Sequence, residues 1–240
     1  MRKIKLFMSK LWPSFILAFN LHGKIAISPT KIDLSPKNSI QEMSLENKGN
    51  EDVFFEASLK RWSQKNGQDI YEDTKDILIL PVTAKISAQS KQKFRIILST
   101  KADLQKEASY RVYFNQISNN KKNKNGFIFN LKISIPLFIY ADNFKFDEQL
   151  QWKAIIQKDK KQIELTLSNN SNKHIVLENL TTTNISPMSF KELRYILPGS
   201  FYSWEIPLKN DATPKNLTID YSSSNQKNSI SIPIIKSEIK

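Results

Sequence analysis

The sequence contains no cysteine, and this absence excludes disulfide bonds, a thiol nucleophile and a cysteine-based metal site. Histidine is nearly as scarce, since His22 and His174 are the only two and stand far apart. We expect each to be a solitary residue of the surface or of a processed segment, not a ligand. Glycine occurs only 5 times, and neither a glycine-rich phosphate loop nor a G-x-S-x-G motif is found. We therefore predict no enzymatic activity, no metal and no cofactor.

Acidic residues are the minority, because 36 Lys and Arg stand against 23 Asp and Glu, for a net charge of +13. Such a balance can indicate nucleic-acid binding. Here the lysines are scattered among asparagines, without a basic helical stripe or a nucleic-acid motif. We predict no nucleic-acid partner, and a basic surface that attracts acidic proteins fits at least as well. The 240 residues, 40% of them hydrophobic, suffice for one large or two small domains with a core.

Long hydrophobic runs are missing, and the one short run lies near the N-terminus. Residues 1–23 begin with the basic MRKIKLFMSKLW and continue with SFILAFNL, and small residues follow at Gly23 and Ala26. This order is typical of a secretory signal peptide, and the run is too short for a stable membrane anchor. An uncleaved anchor stays open as the alternative, because no clear A-x-A site precedes the mature start. In either case we expect the rest of the chain to be exported, without an integral membrane segment after signal removal.

The strongest pattern is Phe127–Tyr140, FIFNLKISIPLFIY. Every second residue from Phe127 to Ile139 is large and apolar, and a period of two predicts a β-strand. Pro136 has no N–H to donate, so at least one side of this strand is expected to be a sheet edge. A long apolar edge is an aggregation hazard, and lending the strand to another protein's sheet is one reason to keep it. An ordinary sandwich strand whose apolar face is core is the alternative.

Strand-like segments fill the rest of the chain, without a helical pattern. Before the Phe127–Tyr140 strand they are Lys24–Leu34, Ile40–Glu46, Val53–Trp62, Ile77–Val82, Lys93–Ser99 and Tyr110–Ile117. After it they are Leu150–Gln157, Gln162–Ser168, His174–Leu180, Arg194–Leu197, Phe201–Leu208, Leu217–Tyr221 and Ser229–Ile235. This spacing predicts an all-β protein with antiparallel sandwiches of immunoglobulin type. A boundary is expected around Ala141–Asp147, which gives domains at residues 24–142 and 143–240.

A series of short motifs also runs through the chain. They are SPTKI at Ser28–Ile32, SLENKGN at Ser44–Asn50, LPV at Leu80–Val82, KFRI at Lys93–Ile96, the E-x-x-Y-R-V-Y-F run at Glu107–Phe114, SIPLFI at Ser134–Ile139 and LPGSFYSW at Leu197–Trp204. In this order they resemble the periplasmic chaperones of the chaperone–usher pilus pathway. The resemblance covers nearly the whole mature chain, and the Y-R-V and S-I-P variants are more similar to the archaic branch than to the classical one.

The resemblance implies two immunoglobulin-like β-sandwich domains in a boomerang arrangement, located in the periplasm. It implies pilus subunits and an outer-membrane usher as partners, and capture of the subunit by donor-strand complementation. The donor residues would be Phe127, Phe129, Leu131, Ile133 and, at the end of the series, Ile135.

The family also anchors the subunit's C-terminal carboxylate with two basic residues. Lys31 stands where the usual residue is Arg, which keeps the charge but loses the bidentate fork. The second, a lysine in classical members, aligns with Pro136, so Arg111 is the substitute candidate, with Lys132 behind it. The alternatives are a solvated strand charge for Lys31 and an intramolecular salt bridge for Arg111. Neither residue has an acidic neighbour directly beside it in the sequence.

Two other function classes remain open from the residues alone. An exported β-sandwich adhesin or structural surface protein would share the β pattern, but a pilus subunit would usually be a single incomplete domain. A carbohydrate-binding module would need exposed aromatic side chains on one groove. Trp62, Trp152 and Trp204 are separated in sequence and would have to meet in space.

Overall fold

A computed structural model describes residues 24–99, 105–117, 130–157, 161–183, 185, 188–191, 193–208, 215–223 and 226–236. All regular secondary structure in these ranges is β, which confirms the predicted all-β class. The predicted signal peptide, residues 1–23, lies outside the described residues. No helix in the described ranges is long and apolar enough to cross a membrane.

The first half of the chain forms two sheets that face each other. One contains β1 (Ile25–Ser28), β3 (Ile40–Asn47), β8 (Ser90–Leu98) and β6 (Ile77–Leu80), in this order. The other contains β2 (Ile32–Leu34), β10 (Lys132–Ile139), β9 (Ala108–Ile117), β4 (Val53–Lys65) and β5 (Gln68–Asp73), and β7 (Thr83–Ile86) also pairs with β4. Alternate residues of both sheets meet in one core, where Phe94 and Phe114 lie edge to face with centroids 4.8 Å apart.

The second half of the chain is one continuous hydrogen-bonded array. Its order is β14 (Met188–Phe190), β13 (Ile175–Thr182), β17 (Asn216–Ser223), β18 (Gln226–Lys236), β11 (Leu150–Gln157), β12 (Gln162–Asn169) and β16 (Ser200–Pro207), and β15 (Arg194–Ile196) pairs with β13. The long β18 pairs with β17 over residues 226–233 and with β11 at Ile234–Lys236, so it links the two faces of this sandwich. The predicted boundary between residues 142 and 143 stays a prediction.

A buried asparagine closes the same kind of turn in both halves. Asn47 ends β3, and its amide group donates to the carbonyls of Glu51, Ile86 and Ser87 while its Oδ1 accepts from the Gly49 N–H. Asn169 ends β12 with the same arrangement, since its amide group donates to two carbonyls and its Oδ1 accepts from a backbone N–H two residues later. Each asparagine therefore satisfies backbone groups that the end of a strand leaves without partners.

The sequence did not predict three of the strands, β5, β7 and β14. All six residues of β5 are exposed, so its sequence QDIYED carries no alternation of buried and exposed residues. The strands β7 and β14 are too short to show a period. The pairing is also not purely antiparallel, because β10 runs parallel to β2 and β11 runs parallel to β18.

Candidate functional site

One row of residues crosses the six-stranded sheet and contains most of the predicted anchor. Pro136 of β10 pairs with Arg111 of β9, which pairs in turn with Lys60 of β4. On the other side of β10 the pairing with β2 begins at Leu137 and Ile32, so Lys31 flanks Pro136. Residues side by side in a row share one face of the sheet. Lys31 and Arg111 therefore project from the same face, two strand spacings or about 10 Å apart at the backbone.

The strand β10 has a free edge that ends at this row. In the described part of the chain, β2 pairs with β10 only from Leu137 onward, so the stretch from Lys132 to Pro136 has β9 on one side and no strand on the other. The Gln116 N–H donates to the Leu131 carbonyl at 2.8 Å, so the odd-numbered residues direct their main chain toward β9. The even-numbered residues of β10 direct their N–H and C=O groups to the free edge. Pro136 is one of these residues, so the N–H that it lacks would have pointed to the free edge.

The side chains predicted for the donor strand differ sharply in exposure along β10. Ile135 is 3% exposed and belongs to the core of the first sandwich, and Ile133 packs partly against that core. Leu131 is 41% exposed. Phe127 and Phe129 lie outside the described residues. The structure thus gives Ile135 a core position, which argues against its assignment as a donor residue, and leaves Leu131 accessible.

Lys31 is an exposed residue with one close partner. Its Nζ lies 2.8 Å from Oδ2 of Asp33, and both side chains are a little under half exposed. Asp33 is not adjacent to Lys31 in the sequence, but residues two apart on a strand share a face, so the two side chains meet. An exposed ion pair of this kind contributes little stability, about 0–1 kcal/mol, so an incoming carboxylate could share or replace Asp33.

Arg111 is held by aromatic rings. Its Cζ lies 3.9 Å from the ring centroid of Trp62 and 5.3 Å from that of Tyr195, which belongs to the second half of the chain. Among the described residues no carboxylate lies within ion-pair distance of the guanidinium, so the alternative of an intramolecular salt bridge is not what the structure contains. Its Nε is buried and has no hydrogen-bond partner.

Lys132, the third predicted anchor, lies outside the row. It is four residues before Pro136, which is about 13 Å along an extended strand. The side chain is exposed, and its Nζ lies 4.7 Å from the ring centroid of Tyr113. Lys132 is therefore placed to line the free edge but not to meet a group bound between Lys31 and Arg111.

The two halves of the chain meet beside this row through an apolar cluster of Trp62, Phe138 and Leu197, with Tyr140 and Tyr195 packed against it. Gln64 also bridges the two halves, because its side chain donates to the Tyr195 carbonyl at 3.0 Å and accepts from the Leu197 N–H at 2.9 Å. The face of β10 opposite its core is thus covered near Phe138 and open further toward its start.

A buried polar pair completes the contact. His174 Nδ1 lies 2.6 Å from Glu107 Oε2, and the His174 ring stacks on Phe138 with centroids 3.8 Å apart. The prediction of a solitary surface histidine is therefore wrong for His174, which is 7% exposed. His22 lies outside the described residues. Burial raises the pKa of the neighbouring Tyr140 hydroxyl, and the negative charges of Glu107 and Asp33 raise it further.

Trp152 and Trp204 do not form a sugar-binding groove with Trp62. Trp152 and Trp204 stack on each other, with centroids 6.1 Å apart, inside the second sandwich. Trp62 lies in the cluster between the halves. The described residues also contain no group of three or more His, Asp or Glu that could hold a metal ion.

The first half of the chain is similar to a known protein family. The family model described as pili and flagellar-assembly chaperone, PapD N-terminal domain, matches residues 24–144, which is half of the chain. The protein belongs to this family. It is a periplasmic chaperone of pilus assembly, and the family is one of chaperones and not of enzymes. None of the curated protein sequences matches the chaperone.

Solved structures of chaperones are similar over most of the chain. The complex of CsuC with the tip subunit CsuE, from archaic chaperone–usher Csu pili of Acinetobacter baumannii, is matched at 25% identity and a TM-score of 0.65, over 89% of this chain and 99% of that one. The YadV chaperone is matched at 16% identity and a TM-score of 0.64, over 87% and 100%. The complex of the Salmonella enterica SafA pilin with the SafB chaperone is matched at 14% identity and a TM-score of 0.59, over 87% and 95%. These matches confirm the predicted pair of immunoglobulin-like domains.

Proposed function

We propose that this chaperone captures a pilus subunit by adding β10 to the subunit's incomplete sheet. The observation that carries the proposal is the free edge from Lys132 to Pro136, next to the accessible side chain of Leu131 and ending at the row that contains Lys31 and Arg111. An edge of this kind offers main-chain hydrogen bonds for affinity and alternate side chains for specificity. Phe127 and Phe129 continue the same apolar series in the sequence and are proposed to extend the donor strand.

The geometry of the edge sets the point at which a bound strand has to end. Beyond Pro136 the edge is occupied by β2, so an added strand has to end there, in line with β2. If its C-terminus is the end that meets the row, the bound strand runs parallel to β10, as β2 does. Its terminal carboxylate then lies between Lys31 and Arg111. A charge-assisted hydrogen bond to either residue contributes about 1.5–3 kcal/mol.

The experiment compares single substitutions in the full chain. The chaperone is purified from periplasm with its bound subunit, the subunit is identified by mass spectrometry, and a synthetic peptide of its last strand is prepared as free acid and as C-terminal amide. We expect Lys31→Ala and Arg111→Ala each to weaken binding of the acid about tenfold or more. Binding of the amide should change little.

Lys132→Ala is the matched control, because it removes a cation of the same face outside the row. It should leave the preference for the acid intact. If Lys132→Ala abolishes that preference while Arg111→Ala retains it, the second anchor has been assigned to the wrong residue. If the acid and the amide bind equally well to the unaltered chaperone, no carboxylate anchor exists.

We also propose that the loaded chaperone delivers its subunit to an outer-membrane usher. The support is the family membership together with the similarity to a chaperone of chaperone–usher pili. A purified usher should retain the chaperone–subunit complex on a column and release the free chaperone. Equal retention of both forms would argue against delivery. The alternative of an adhesin or structural surface protein loses its basis, because the chain belongs to a family of chaperones.

A further inference from the structure

The aromatic contacts of Arg111 come from both halves of the chain. Trp62 belongs to β4 of the first sandwich and Tyr195 to β15 of the second, and their own rings meet edge to face with centroids 5.5 Å apart. The guanidinium lies over both rings. A guanidinium over an aromatic face is attracted by the ring's quadrupole, and its plane is held in one orientation.

Hydrogen bonds hold the Trp62 ring and the backbone of Tyr195. Trp62 Nε1 donates to Asp69 Oδ1 at 2.9 Å, and the side chain of Gln64 donates to the same oxygen at 2.8 Å. Gln64 then reaches the second sandwich, where it donates to the Tyr195 carbonyl. The position of the Tyr195 ring therefore depends on how the two halves of the chain meet.

The contact with Trp62 and Tyr195 leaves the positive charge of Arg111 available to bind an anion. No carboxylate in the described part of the chain pairs with it, and rings attract a cation without neutralising it. A long side chain that is already ordered loses less conformational entropy when it binds a ligand. Arg111 thus has the properties of a prepared anion-binding group, whereas Lys31 is paired with Asp33 in the same row.

We propose that Trp62 and Tyr195 are positioning residues that hold the Arg111 guanidinium ready for the subunit's terminal carboxylate. Through Tyr195 the second sandwich takes part in an anchor whose cations all lie in the first. This inference rests on the proposed anchor role of Arg111 and adds the second sandwich to it.

The test uses Tyr195, because Trp62 is 3% exposed and its loss would disturb the core. Tyr195→Leu removes the ring, and Tyr195→Phe retains it. Tyr202→Leu is the matched control, since the Tyr202 ring carries a different guanidinium, that of Arg194, at 3.9 Å. All variants are made in the full chain and checked by thermal melting.

The first readout needs no partner. The Nε–H resonance of Arg111, assigned in nuclear magnetic resonance spectra by comparison with Arg111→Lys, should carry the ring-current shift of two aromatic neighbours. We expect this shift to persist in Tyr195→Phe and Tyr202→Leu and to decrease in Tyr195→Leu. An unchanged resonance in Tyr195→Leu would show that Tyr195 does not hold Arg111, and would overturn the proposal.

The second readout is the ratio of affinities for the free-acid and amide forms of the subunit's last-strand peptide. Tyr195→Leu should lower this ratio about three- to tenfold, because binding then has to order a long side chain that the ring no longer holds in place. Tyr195→Phe should restore it. An unchanged ratio in Tyr195→Leu beside a lowered ratio in Arg111→Ala overturns the positioning role and leaves the anchor standing. An unchanged ratio in Arg111→Ala removes the anchor itself.

Discussion

The change in exposure along β10 predicts opposite outcomes for the same substitution at two positions. Leu131 and Ile135 lie on one face of the strand, but Leu131 is 41% exposed and Ile135 is 3% exposed. Glutamate at position 135 would place an unpaired charge in the core of the first sandwich, which costs several kcal/mol. Glutamate at position 131 can turn its carboxylate to water in the free chaperone. We expect Ile135→Glu to unfold the first sandwich and Leu131→Glu to leave it folded.

The effect of Leu131→Glu should appear when a subunit is bound. Full burial of a leucine side chain contributes about 1.5–3 kcal/mol, and the 41% that is still exposed leaves about 0.6–1.2 kcal/mol for the partner. The loss of this contact alone would weaken binding about three- to eightfold. Burial of the new carboxylate in the subunit's groove adds a larger penalty, so we expect subunit recovery to fall well beyond tenfold.

Two measurements on each variant test whether Leu131 contacts the subunit or belongs to the core. They are the thermal melt of the free chaperone and the recovery of the subunit co-expressed with it. Lys132→Thr is the control, because it changes the neighbouring residue on the opposite face and should affect both values little. The donor-strand reasoning is refuted if Leu131→Glu unfolds the free chaperone while its folded remainder binds normally. In that case β10 is an ordinary core strand.

Three further predictions concern stability. Hydrogen bonds and charges from Lys93 and Arg95 on β8 hold the pKa of Glu42 below its ordinary 4.5. The stabilisation that ionised Glu42 contributes is therefore present above pH 4.5 and is lost as the pH falls through the lowered pKa. Glu42→Gln should make the melting temperature depend less on pH on the acid side of the profile. Asn47→Ala leaves buried backbone groups without partners and should cost about 3 kcal/mol in urea unfolding of the first sandwich, whereas a smaller loss than about 1 kcal/mol would mean that water replaces the amide. Glu107→Ala leaves His174 buried without its partner and weakens the contact between the two halves. We expect calorimetry to resolve one transition in the unaltered chain and two in this variant, and a single unshifted transition in the variant would contradict this coupling.

Much of the fold was predictable from the sequence because most strands bury one face. The alternation in β12 follows directly from inward and outward positions, and in the described part of the chain β10 has the free edge that Pro136 indicated. A strand exposed on both faces has no such pattern, which is why β5 was missed. Its partner β4 has the alternation, but only the Asn66–Gly67 turn, with both residues at positive φ, showed that the chain reverses there.

The candidate site was only partly predictable, because its parts come together across strands and between sandwiches. The row that places Lys31 and Arg111 beside Pro136 depends on register, which one sequence does not reveal. The rings on Arg111 come from residues that lie 49 positions before it and 84 after it, as the numbers of Trp62 and Tyr195 show. One signal was available: Phe138 is large and apolar on the polar face of β10, and it marks where the second sandwich covers that face.

Because β2 occupies the edge of β10 from Leu137 onward, the free part of that edge ends at a fixed position. If the subunit's carboxylate is anchored between Lys31 and Arg111 as proposed, the register of the bound strand is counted from its last residue, whatever the total length of the subunit. Side chains on a strand alternate between faces, so one residue added to the subunit's C-terminus would shift the whole strand by one position and turn every side chain to the wrong side. The proposed anchor therefore predicts selection for the end point of the subunit, and a subunit extended by two residues should be accepted more readily than one extended by a single residue.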